Sequence, residues 1–64
     1  MLTIETEQEE DGRWIAEVPA LPGALAYGKT QTEARDHAAA LAFRIIAGRI
    51  DHGEPVPAEV HKAC

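Results

Sequence analysis

Polar and apolar positions alternate over Leu2-Thr3-Ile4-Glu5-Thr6-Glu7, the signature of a half-buried strand. Gln8-Glu9-Glu10-Asp11-Gly12 reads as a turn, with Asp-Gly as the hairpin signal. Arg13-Trp14-Ile15-Ala16-Glu17-Val18 is the expected return strand. Trp14, Ala16 and Val18 share one face and match Leu2 and Ile4 in character, so that face is expected to take a helix. Arg13, Ile15 and Glu17 share the other. Ile15 is thus expected on the open face between two charges, either as an ordinary exposed residue or as the mark of an interface. Pro19 and Pro22 end the strand, since proline cannot donate to a central ladder. Pro22-Gly23 suits the two central positions of a type II turn, and Ala24-Leu25-Ala26-Tyr27 is short and alternating, a third strand.

From Thr30 the apolar period changes from two to that of a helix, expected over Gln31–His52 and about 33 Å long. Thr30 and Glu33 form a capping box, in which the Glu33 carboxylate reaches back to the cap N–H. Gly53 occupies the C′ place, Pro55 follows it, and Arg49 and His52 lie near the negative end of the helix dipole. Glu33, His37, Arg44, Gly48 and Asp51 make a polar stripe. Ala34, Ala38, Leu41, Ala42, Phe43, Ile45, Ile46 and Ile50 fill an apolar arc wider than docking on one core requires, with Leu41 and Ile45 expected in that core. The arc serves a sheet and a second partner, or its alanines merely soften a one-faced helix. Glu54-Pro55-Val56-Pro57 is extended by its prolines. Beyond it, Ala58 to Cys64 is open between a short fourth strand and a loose helical turn.

These elements predict an α+β domain: a three-stranded antiparallel sheet with one long helix across one face, in the order β-β-β-α. It spans residues 1–57, followed by a tail at 58–64. Sixty-four residues allow one domain with a marginal core, burying about 60% of the unfolded surface. A hydrophobic content of 45% argues for a folded chain rather than a disordered one, and the small core for self-association. The single Cys64 has no internal disulfide partner, which points to a reducing cytoplasm. Met1-Leu2-Thr3 leads straight into acidic residues, so no secretory leader is expected. The longest apolar run, Ala38–Phe43, is far short of the about 20 residues of a membrane span.

Net charge is −5, and the excess is local: Glu5, Glu7, Glu9, Glu10 and Asp11 precede any basic residue. Such a surface repels phosphate and suits a basic protein partner; the simpler alternative is a solvated strand and turn. Other chemistry has little footing. His37, His52 and His61 are not at ligand spacing on one helix face. His61 and Cys64 supply only two ligands where zinc usually takes at least three from protein. Cys64 on a short tail has no base in prospect, and the carboxylates have no apolar pocket to raise a pKa. Gly23 and Gly28 form no phosphate loop, and no basic cluster interleaves with aromatics. No catalytic residue, cofactor or metal is therefore expected, and no DNA binding by this chain alone.

The chain resembles the HicB-like antitoxin family of small bacterial domains. The resemblance rests on Asp11-Gly12-Arg13-Trp14, Val18-Pro19-Ala20-Leu21-Pro22-Gly23, Gly28-Lys29-Thr30 with Thr32-Glu33-Ala34, and Gly53-Glu54-Pro55-Val56-Pro57, in that order. It implies a fold related to a partial ribonuclease H fold without its catalytic acids, and oligomers, usually dimers or larger. It implies a non-enzymatic role: binding a small basic toxin that cleaves messenger RNA and covering its active site. The alternative is a solitary oligomeric domain that binds a small molecule or another protein. Ala24 stands where the family often has Cys, and the chain stops at Cys64, where many members continue into a DNA-binding domain. The partner-binding surface is expected at Glu5, Glu7, Glu9, Glu10, Asp11 and Ile15.

Overall fold

A computed structural model of the protein describes residues 2–58. Its elements are β1 (Glu5–Gln8), β2 (Trp14–Glu17), β3 (Leu25–Gly28) and α1 (Gln31–Asp51). The strands form one antiparallel sheet in the order β1-β2-β3, with α1 on one face. The α+β class and the β-β-β-α order are thus as expected. The strand or turn expected in the tail, with Val60 and the His61–Cys64 pair, lies outside the described residues from 59 onward.

The ladders are shorter than the alternation suggests. Leu2, Thr3 and Ile4 precede β1 without pairing, yet Leu2 and Ile4 still pack on the core. The third strand runs one residue later than expected, and Ala24 before it is buried. Between β1 and β2 the hairpin closes through a three-residue loop, Glu10 to Gly12. The Glu9 N–H donates to the Arg13 carbonyl at 2.7 Å and the Gly12 N–H to the Glu9 carbonyl at 3.0 Å. This is the bulged-hairpin pattern rather than a two-residue Asp-Gly turn.

The cap chemistry fixes both ends of α1. Thr30 Oγ1 accepts from the Glu33 N–H at 3.0 Å. The return arm differs from the expected box: Glu33 Oε1 accepts from the Lys29 N–H at 3.1 Å, one residue ahead of the cap. At the other end His52 is the C-cap, and Gly53 has φ 68°. The Gly53 N–H donates to the Ile50 carbonyl at 3.1 Å and the Glu54 N–H to the Arg49 carbonyl at 2.7 Å. Those two bonds make a Schellman motif, which needs a left-handed residue and so favours glycine.

The helix docks through Ala34, Ala38, Ala42 and Ile46, spaced by fours. Three alanines at the contact let the helix backbone lie close to the sheet. Leu41 and Ile45 are only half-buried, and of the two Ile45 alone packs against the core. This corrects the expected core assignment of Leu41. The four-residue spacing turns the docking stripe steadily around the helix, so Leu41 falls to one side of it.

A 21-residue helix is about 31 Å long, whereas four-residue strands span about 13 Å. The sheet backs only the first half of α1. There Ala16, Ala34 and Ala38 form one buried cluster, with Trp14, Ile4 and Ala26 against it. The second half rests on the Val18–Ala24 connection. Val18, Leu21, Ala24, Ala42 and Ile46 form a second cluster, joined by Leu2, Ile4, Ile45 and Val56. The connection folds back on itself: the Val18 N–H donates to the Ala24 carbonyl at 2.9 Å and the Ala24 N–H to the Leu21 carbonyl at 2.9 Å. Pro22 and Gly23, the latter at φ 91°, are the central pair of that second turn. Leu21, in a proline-rich loop, is fully buried.

Candidate protein-binding face

Alternation along the strands sends Ala16 and Ala26 toward α1, and their neighbours to the opposite, open face. Register then decides who meets whom. Glu7, Ile15 and Tyr27 form one cross-strand row, and Glu5, Glu17 and Leu25 the next. Leu25 and Tyr27 are exposed, and Ile15 is half-buried between them. Ile15 is therefore no isolated apolar residue: it is the centre of an apolar triad drawn from two strands. Glu5, Glu7 and Glu17 surround it, lining with Thr6, Ile15 and Leu25 an open depression of about 410 Å³.

The electrostatics of this face are unbalanced. Glu5 and Glu17 sit directly opposite each other in the register. Like charges in that position destabilise a sheet. Among the described residues the one salt bridge is Arg13–Asp11, at 2.8 Å, so no cation neutralises the Glu5–Glu17 pair. Six acidic residues and one arginine lie between Glu5 and Glu17, and that segment carries the whole net charge of −5.

The expected site residues divide into two groups. Glu5, Glu7 and Ile15 belong to the depression on the sheet. Glu9, Glu10 and Asp11 stand at the hairpin tip, where a second concavity is lined by Glu7, Gln8, Glu9, Glu10, Asp11 and Arg13. Glu7 borders both. Asp11 has a local structural task. Its Oδ1 accepts from the Arg13 N–H at 3.1 Å and its Oδ2 from Arg13 Nε at 2.8 Å. The backbone N–H of Arg13 leads in holding the Asp11 carboxyl below the usual aspartate range, with the guanidinium adding to it. Arg13 also places its guanidinium carbon 5.1 Å from the centroid of the Tyr27 ring, a cation–π contact that ties the tip to the edge of the open face.

Sequence reasoning missed Leu25 and Tyr27 as members of this face. Their alternation was visible, but which of the two sets faces the helix depends on pairing with β2. Glu17 is expected on the open face from alternation alone, whereas its partner across the sheet, Glu5, follows only from the register.

No charged or polar side chain is buried among the described residues, and no group of three His, Cys, Asp or Glu there stands close enough to hold a metal ion. His37 Nδ1 donates to the Tyr27 carbonyl at 2.8 Å, and His52 Nδ1 to the Gly48 carbonyl at 2.8 Å, so both rings are engaged in backbone contacts. No helix among the described residues is long and apolar enough to cross a membrane. What the open face offers chemically is an apolar centre within an unneutralised acidic rim. No protein-family model, curated protein or solved structure matches the chain.

Proposed function

We propose that this protein is a non-catalytic, HicB-like protein-binding domain whose open sheet face receives a small basic protein in the cytoplasm. The observation that carries the reading is the Glu5–Glu17 pair, which is in no salt bridge among the described residues and lies beside the apolar triad of Ile15, Leu25 and Tyr27. A like-charge pair costs stability in the free domain, and a cationic partner removes that cost on binding. The β-β-β-α order supports the link to a partial ribonuclease H-like fold. On this reading the partner is an RNA-cleaving toxin of opposite charge, and the acidic rim steers it while the apolar triad holds it.

Co-expression with a small basic protein encoded beside this gene, followed by calorimetry and an RNA-cleavage assay on the purified pair, tests the proposal. Binding should suppress cleavage. Ile15→Lys should weaken binding strongly, while replacing Glu5, Glu7 and Glu17 together by Gln should slow association most at low salt. Binding unaffected by either change would reject the open face as the site.

A further inference from the structure

The two edges of the sheet are not equivalent. The bond from the Glu9 N–H to the Arg13 carbonyl fixes the phase of the first ladder. Glu5 and Glu7 therefore bond to β2, and the main-chain groups of Thr6 and Gln8 point outward. Among the described residues, no hydrogen bond outside the ladder reaches the N–H or C=O of Thr6 or Gln8. On the far side the bond from the Val18 N–H to the Ala24 carbonyl sets the phase, and Leu25 and Tyr27 point outward from β3. That edge is already partly closed. The Leu25 N–H donates to the Gly23 carbonyl at 3.0 Å, and the Tyr27 carbonyl accepts from His37 Nδ1 at 2.8 Å. The β1 edge has no such cover, and no proline or lysine in Glu5–Gln8 blunts it.

We infer that the β1 edge receives an extended, cationic segment of the protein partner as a fourth, antiparallel strand. The inference rests on the open-face reading above and specifies how that partner is gripped. An edge strand with outward N–H and C=O groups is a template for a strand from another chain: main-chain bonds supply affinity, and alternate side chains supply specificity. Antiparallel pairing continues the existing sheet and is the more stable kind per residue. The side chains of the incoming strand alternate as those of β1 do. Every second one stands on the open face beside Glu5 and Glu7, where Lys or Arg makes an opposite-charge cross-strand pair. The intervening ones lie beside Thr6 and Gln8 on the helix side. There Thr6 Oγ1 already accepts from Gln31 Nε2 at 2.8 Å, and small polar residues suit the surroundings. The same glutamates close this edge to another copy of the chain, because two β1 edges would bring like charges together. A segment of alternating cationic and small polar residues is the occupant that this edge selects.

A short synthetic peptide alternating Lys and Thr is the probe, added to the full chain at low salt and followed by NMR. Binding should slow amide exchange at Thr6 and Gln8, because those two N–H groups become bonded. In an antiparallel pair the peptide's Thr residues, opposite Thr6 and Gln8, make the hydrogen bonds to β1. N-methylating the Thr positions should therefore weaken binding at least about tenfold, the scale of one or two lost hydrogen bonds, while N-methylating the Lys positions should not. Gln8→Pro removes one outward donor, leaves the β1–β2 ladder intact and should also weaken binding. The methylated peptides decide the matter if that variant unfolds. No binding of the peptide, equal effects of the two methylations, or changes confined to Ile15, Leu25 and Tyr27 would overturn the inference. The open-face reading is judged separately: a co-expressed basic protein released by Ile15→Lys but indifferent to Gln8→Pro keeps that reading and rejects the added strand.

Discussion

Gly28 lies directly against the helix backbone at Ala34: a methyl group on Gly28 would fall 2.9 Å from Ala34 Cα. Both residues are buried, and the obstacle is helix backbone rather than a side chain that can swing aside. Gly28→Ala should therefore cost about 1–3 kcal/mol or more, the range for overpacking. Denaturant melts check this. A change within about 0.5 kcal/mol, the surface scale, would mean that strand and helix lie further apart.

Leu21 is fully buried, whereas Leu41 is half-exposed. Leu21→Ala should destabilise by about 2–5 kcal/mol. That is a large share of the about 5–15 kcal/mol total of a typical domain. Leu41→Ala should cost clearly less in the same urea titration. The reverse order would place the core on the other side of α1.

Asp11 predicts a pH dependence of known sign. Its folded-state carboxyl is held below the ordinary aspartate range by the Arg13 N–H first, with the guanidinium contributing. The folded form therefore favours the ionised carboxylate. The contribution is present above the unfolded value and is lost as pH falls through the lowered one. An NMR titration should find the Asp11 midpoint below that of an unstructured aspartate. Arg13→Ala should return it only part of the way, because the backbone donor remains.

The Glu5–Glu17 pair should behave as a built-in cost. Glu17→Gln should raise the stability of the isolated domain by roughly 0.2–1 kcal/mol at low salt, the scale of cross-strand pairs. The gain should shrink in about 1 M salt, where the screening length is only about 3 Å. Thermal melts of both proteins at two salt concentrations read it directly. Equal melting at low salt would show the two carboxylates already separated.

Some of this architecture is written locally and some is not. Thr30, Gly53 and the alternation of Trp14 through Val18 act on their own neighbours, so the helix ends and the faces of β2 were legible. Even so, the return arm from Glu33 slips by one residue to Lys29, because side-chain reach does not determine which neighbouring N–H it takes. Leu21 was not legible as core. Its proline and glycine neighbours mark a connection, and its burial arises only because α1 outruns the sheet and the connection fills the space beneath it. Leu25 and Tyr27 were lost for a related reason. Strand pairing, which no local signal fixes, turns them to the open side. The acidic half of the candidate site was visible in composition; its apolar half is a product of the register.

The excess length of α1 over the sheet also divides the molecule in time. Ile4 packs against both clusters and couples the sheet-backed half of the helix to the half resting on the Val18–Ala24 connection. Amide hydrogens in the first half sit in helical turns packed on the sheet and should exchange only when the whole domain opens. Those near the C-terminal end of α1 are held by a loop, and should exchange through smaller, more frequent openings. Trimming Ile4 to alanine would loosen that coupling, and the two halves of one continuous helix would then report two different lifetimes.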